Sequence, residues 1–156
     1  MAGKPQSASS SASQHLGTPS DQELFDELCF YTLSLRDSEF LHQNAVDAFA
    51  AQHVNDDTKP IQAVFALIGL YLTIEKGLSG RQVQRAHMRL ASQRKQWPKI
   101  VPNGRCATLS VKDVLNAEPG APRDQAIRQW CAAVWETWES QRGQIVKLAR
   151  EELDVR

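Results

Sequence analysis

Apolar residues recur at the spacing of an α-helix over residues 24–35. Four of them follow one another at intervals of four, three and four residues, which places them on one helical face. Ser20 and Glu23 precede this face as a capping box, so the helix is predicted to begin at Ser20. The apolar positions are Leu24, Leu28, Tyr31 and Leu35.

The next two segments are apolar on nearly every side. One is predicted to run from Asp37, an N-cap residue, to Val54. The other is predicted to run from Pro60 to Lys76, because proline suits a first helical position and Gly77 suits a C-cap. A helix that is apolar nearly all round is a buried helix. These two are therefore predicted to form an antiparallel pair at the centre of the fold.

A fourth helix is predicted to begin at Ser79, where Gln82 completes a second capping box. Its inner face carries His87 among apolar residues, and its outer face begins a basic stripe with no acidic neighbour. Such a stripe can contact phosphates, although the acidic residues of the first helix could instead face it within the molecule. The stripe consists of Arg81, Arg85, Arg89, Arg94, Lys95 and Lys99.

Prolines and glycines break the helical pattern between residues 97 and 122. Within this stretch, Asn103-Gly104 fits the turn of a short hairpin, and Ser110 fits the start of a short helix. The pattern then resumes, and one last helix is predicted over residues 123–152. Three tryptophans lie at helical spacing in it, which favours packing in the core. They are Trp130, Trp135 and Trp138.

Together these patterns predict an all-α, single-domain bundle of about five helices over residues 20–156. Residues 1–19 differ sharply from the rest, because they are rich in Ser, Ala, Gln, Gly and Pro and contain one large apolar residue. Such a segment cannot bury enough apolar surface to offset its ordering entropy. We therefore expect residues 1–19 to form a disordered tail.

Charge and cysteine content exclude several classes of protein. The formal net charge is zero, although residues 1–57 carry two basic and nine acidic side chains and residues 58–112 carry ten basic and one acidic. Three widely spaced cysteines fit neither a disulfide framework nor a cysteine zinc cluster, which favours a reducing compartment. No signal peptide or membrane-spanning stretch of about 20 apolar residues is found, so we expect a cytoplasmic protein without a membrane partner.

Polar side chains interrupt the buried second helix. His42 and His53 are eleven residues apart, so they lie within about 20° of one face and about 16 Å apart. Asp47 points about 130–140° away from both, so it would serve a different interface or bond a buried Arg or a backbone group. The interpretation we favour is that these residues and Gln52 are mainly structural and make hydrogen bonds that fix helix register. A site for a small ligand is left open.

A divalent metal site is the first alternative. Zinc ligands lie about 2 Å from the ion, so the two histidines of the second helix cannot share one. His87 is the best additional ligand, because it too lies on an inner face. A set of His53, His87 and either a carboxylate or Cys29 would leave a position open for water, as in a metal-dependent hydrolase.

The block from His42 to His53 resembles the core of an uncharacterised bacterial family, a domain of unknown function. The family pattern is H-x-x-x-V-D-A-[YF]-x-x-Q-H, and Phe49 occupies the aromatic position in this chain. The stretches from Ala66 to Leu72 and from Gly80 to His87 are also similar. The resemblance spans about residues 22–138 and implies an all-helical fold without an established activity.

The sequence therefore predicts a small cytoplasmic helical domain of uncharacterised function, and it does not decide whether the protein is an enzyme. One alternative is the metal-dependent hydrolase, and another is an adaptor that binds nucleic acid or protein through Arg81, Arg85 and Arg89. Association into a homo-oligomer is left open. The candidate ligand-binding residues are His42, Asp47, Gln52, His53, Arg81 and Arg85.

Overall fold

The computed structural model describes residues 17–93 and 96–154. Those two ranges contain seven α-helices and no strand, so the all-α prediction is confirmed and the count of about five helices is wrong. Residues 1–16 of the predicted tail lie outside the described ranges. The helices are α1 (Asp21–Ser34), α2 (Leu41–Gln52), α3 (Pro60–Lys76), α4 (Gly80–Gln93), α5 (Val111–Asn116), α6 (Ala121–Glu136) and α7 (Arg142–Leu153), with a 3-10 turn at Glu139–Gln141.

Helices α2 and α3 form the predicted antiparallel pair at the centre. Near the start of α2, the Asn44 amide donates to the Thr73 hydroxyl at 2.9 Å, close to the end of α3. One turn further along α2, Asp47 lies directly against Gly69 of α3. Helix α3 is buried along most of its length, as its apolar pattern predicts. Helices α1, α4, α6 and α7 pack around this pair.

The predicted start of the second helix is wrong by about one turn. The helix begins at Leu41, and Phe40 before it adopts a left-handed backbone with φ of +53°. The Phe40 carbonyl lies against Gly80 at the start of α4. A Cβ added to Gly80 would lie 2.0 Å from the Phe40 carbonyl oxygen. This contact fixes a turn that a continuous helix could not make. Asp37 still caps α2, because its carboxylate accepts from the first helical amide at 2.9 Å.

The predicted last helix is broken between α6 and α7. The Thr137 carbonyl accepts from the Asn103 side chain at 2.7 Å instead of from the helix. The Gln141 amide accordingly donates to the Trp138 carbonyl at 3.0 Å, which closes a 3-10 turn. Asn103 and Gly104 form a turn that anchors this break, and the hairpin predicted there is wrong because no strand occurs in the described ranges.

The tryptophans of the last segment pack in the core, as predicted. Trp130, Trp135 and Trp138 are all buried, and each indole N–H donates a hydrogen bond. The three cysteines are free thiols, and no described helix has the length and apolar character needed to cross a membrane.

Candidate functional site

The polar side chains of α2 point in three directions. His42 and His53 both face α1, which fits the shared face predicted from their spacing. His42 Nδ1 lies 2.9 Å from the Thr32 hydroxyl, and His53 Nε2 lies 3.2 Å from a carboxylate oxygen of Asp21. Gln52 points elsewhere, since it bonds to α6 and to the segment before α5 at 2.8 Å each. Asp47 lies against Gly69 of α3, away from the face of the two histidines, as its angular separation from them predicts.

An open groove of about 680 Å³ lies where α1, α2, α3 and α4 meet. Two aromatic pairs line it: the ring centres of Phe49 and His53 lie 4.1 Å apart, and those of Phe65 on α3 and His87 on α4 lie 5.3 Å apart. Small and apolar residues also line the groove. The groove is lined by Gln22, Gln43, Val46, Asp47, Phe49, Ala50, His53, Thr58, Ile61, Gln62, Phe65, Ala66 and His87.

Asp47 is the buried acid of this groove, with 3% of its surface exposed. Its Oδ1 accepts from the Gln43 amide at 3.1 Å, and its Oδ2 has no hydrogen-bond partner among the described residues. Oδ2 instead abuts the backbone of Gly69. Burial raises the pKa of Asp47 well above its usual range, and the Gln43 hydrogen bond only partly opposes this. The uncharged acid is therefore favoured in the folded protein.

Gln43 connects Asp47 to His87. The second N–H of the Gln43 amide points to His87 Nδ1 at 3.3 Å, and His87 Nε2 lies 2.8 Å from the Phe65 carbonyl. Because a carbonyl only accepts, Nε2 carries the proton and Nδ1 accepts from Gln43. Burial lowers the pKa of His87, which favours this neutral ring. The Gln43 carbonyl oxygen accepts no hydrogen bond within the described ranges and lines the groove.

The structure brings together some of the predicted site residues and separates others. Asp47, His53 and His87 share the groove, whereas His42 and Gln52 do not line it. Gln43 was missed as a site residue. The signal that could have found it is its position four residues before Asp47, since side chains at that spacing meet on one side of a helix.

The ligands predicted for a metal do not assemble. Among the described residues, no three His, Cys, Asp or Glu side chains form a group that could hold a metal ion. Cys29 is half-buried on α1, and burial raises the pKa of its thiol, which disfavours the thiolate that a metal would need. His53 lies at the end of α2 and His87 lies on α4, and each ring nitrogen of His87 already contacts a protein atom.

The basic stripe of α4 is partly used within the molecule. The Arg81 guanidinium lies 4.6 Å from the centre of the Phe40 ring, and Arg89 donates to the Leu153 carbonyl at 3.4 Å. Arg85 is exposed, while residues 94 and 95 lie outside the described ranges. The acidic helix α1 packs mainly on α2 and α5, and α4 packs on α2, α3 and α7. The suggestion that α1 faces the stripe therefore gains no support.

Comparison with known proteins returns one family. A family model described as "Family of unknown function (DUF5946)" matches residues 12–139, which confirms the resemblance to a domain of unknown function. No curated protein and no solved structure matches the chain.

Proposed function

The chain belongs to the family of unknown function DUF5946, and from the geometry of its groove we propose that it is a small-molecule-binding domain. The observation that carries the proposal is the Asp47 carboxyl, which is buried in the groove wall with one oxygen unpaired. An unpaired buried polar atom costs about 1–3 kcal/mol of stability. Sequences break the rules of good packing in this way mainly at functional sites.

The dimensions and lining of the groove support a small ligand over a macromolecular one. Ligand pockets typically measure about 300–1,000 Å³ and combine apolar walls with a few polar groups. The groove has these proportions, with aromatic walls at Phe49 and Phe65 and a polar end at Asp47 and Gln43. The predicted alternative of an adaptor that acts through Arg81, Arg85 and Arg89, a cytoplasmic location and a bacterial origin stay predictions.

Filling the groove should abolish ligand binding without unfolding the protein. Ala50 lines the groove and is only half-buried, so Ala50→Phe places a ring in the open space. We expect fragments that bind the natural chain to lose at least about tenfold in affinity, or about 1.4 kcal/mol. Binding is measured by the shifts of backbone amide NMR signals during titration with a fragment library.

Ala132→Phe is the matched control for this test. Ala132 is exposed on α6, away from the groove, so the same substitution there should leave binding unchanged. If Ala50→Phe keeps the full set of fragment shifts, or if fragments move only signals outside the groove, the proposed function is wrong.

A further inference from the structure

We infer that the ligand of the groove is a protonated amine with an apolar, ring-sized body. This inference rests on the proposed function and names the class of molecule that the groove would take. Three features carry it: the groups that remain available for hydrogen bonding, the missing charge partner of Asp47, and the aromatic walls.

Apart from the proton of the Asp47 acid, the polar end of the groove offers acceptors and no free donor. Both N–H groups of the Gln43 amide are directed at Asp47 and His87. Both ring nitrogens of His87 are also engaged, one with Gln43 and one with the Phe65 carbonyl. Once the Asp47 acid has released its proton, what remains is the Gln43 carbonyl oxygen and the Asp47 carboxylate, so a ligand that pairs with this carboxylate has to donate hydrogen bonds.

Asp47 lacks a cation within the described ranges. From α4, His87 faces it through Gln43, and from α3 the backbone of Gly69 lies against it. From α6 it faces the buried Cys131 thiol, whose pKa is raised by burial and by Asp47 itself. Arg128, also on α6, is exposed, and its charge acts to lower the pKa of Cys131. It makes no ion pair with Asp47. A buried carboxylate needs a paired charge, and an ammonium group would supply it.

His53 lines the groove farther along the chain, just after α2. Its Nε2 lies 3.2 Å from a carboxylate oxygen of Asp21 on α1, so this side chain already has a partner. The groove is also lined by the aromatic rings of Phe49 on α2 and Phe65 on α3 and by the small residues Ala50 and Ala66. Aromatic faces attract cations as well as rings, which favours an amine attached to a flat apolar body.

Binding of an ammonium group is coupled to a proton. In the empty groove the Asp47 acid holds its proton, and in the complex the carboxylate faces R–NH₃⁺ while that proton passes to solvent. Because Asp47 is 3% exposed, we expect the half-buried Gln43 amide to turn away from Oδ1 as the ammonium enters. The Gln43 carbonyl can then accept from the same ammonium. Affinity should therefore rise with pH while the ligand itself remains protonated.

The test compares two probes of the same shape by isothermal titration calorimetry. The probes are 2-phenylethylamine, which is a cation near neutral pH, and 2-phenylethanol, which is not. We expect the amine to bind at least about tenfold more tightly at about pH 7, with net release of protons on binding. Proton release is obtained by repeating the titration in two buffers that differ in ionisation enthalpy.

Two variants locate the effect. Asp47→Asn should remove both the preference for the amine and the proton release. Glu136→Gln, which deletes one exposed carboxylate on α6, should leave both unchanged. Equal binding of the two probes, or undiminished amine binding by Asp47→Asn, overturns the amine inference while the proposed function stands. Failure of both probes in a groove that binds other fragments also overturns the amine inference alone, whereas failure of every fragment contradicts the proposed function.

Discussion

Gly69→Ala is expected to lower the free energy of unfolding by about 3 kcal/mol, although it adds a single methyl group. A Cβ at this position would lie 2.0 Å from Asp47 Oδ2 and 2.6 Å from its Cγ. Asp47 is almost completely buried and its side chain is short, so the carboxyl cannot swing into solvent. Helices α2 and α3 would have to separate at this contact. Urea denaturation followed by circular dichroism measures the loss.

Two further variants distinguish a clash from a general effect of alanine. Gly143→Ala adds the same methyl group within α7, where nothing lies within 4 Å, and should stabilise the protein by about 0.5–1 kcal/mol. Asp47→Ala removes the group that clashes. The free energy of unfolding of the double variant Asp47→Ala, Gly69→Ala should therefore lie within about 1 kcal/mol of that of Asp47→Ala alone. If Asp47→Ala gives no rescue, the contact between the carboxyl and Gly69 does not explain the loss.

Asp47→Asn is expected to stabilise the protein at neutral pH by about 1–3 kcal/mol, because replacing a poorly compensated buried ionisable group often stabilises. The gain should depend on pH. A carboxyl whose pKa is raised by folding contributes its full stability below its ordinary value of 3.8 and loses it as pH rises through the folded pKa. The natural chain should therefore lose this contribution progressively as the pH rises above about 4, while the variant should not.

The difference between the two proteins isolates Asp47 from other titrating groups. His42 and His87 have pKa values lowered by burial, so their contributions are lost in the opposite direction, as pH falls. These contributions largely cancel when the free energy of unfolding of the natural chain is subtracted from that of Asp47→Asn at the same pH. Denaturation at about pH 5, 6, 7 and 8 gives this stability difference, which should grow with pH. A constant difference, or a variant less stable at pH 8, would show that Asp47 is not a neutral acid in the folded protein.

Local signals predicted the helices best where the cap and the apolar pattern agree. Helix α3 has the predicted bounds, because Pro60 and Gly77 mark its ends within the local sequence. The start of α2 and the break after α6 could not be predicted in the same way. The start of α2 depends on the contact between Phe40 and Gly80, and the break after α6 depends on the hydrogen bond from Asn103 to Thr137. Both partners are distant along the chain, so local spacing contains no information about them.

The candidate site could be predicted only in part. Helical geometry correctly separated the direction of Asp47 from that of His42 and His53. The sequence could not decide the charge of Asp47, because burial and a cationic partner act in opposite directions. The structure places no cation beside the carboxyl among the described residues, and burial raises the pKa of Asp47, which favours the uncharged acid. The link from Gln43 to His87 crosses between two helices, so only the packing of α2 against α4 reveals it.

The central claim is that the groove around Asp47 binds small molecules, and crystallographic fragment screening tests it most directly. Crystals of the natural chain would be soaked with a library that includes apolar amines and their neutral counterparts. We expect the bound fragments to cluster between Phe49 and Phe65, with their polar groups at Gln43 or Asp47. Fragments bound only at other sites, such as the 490 Å³ cavity beside Arg128, would contradict the claim.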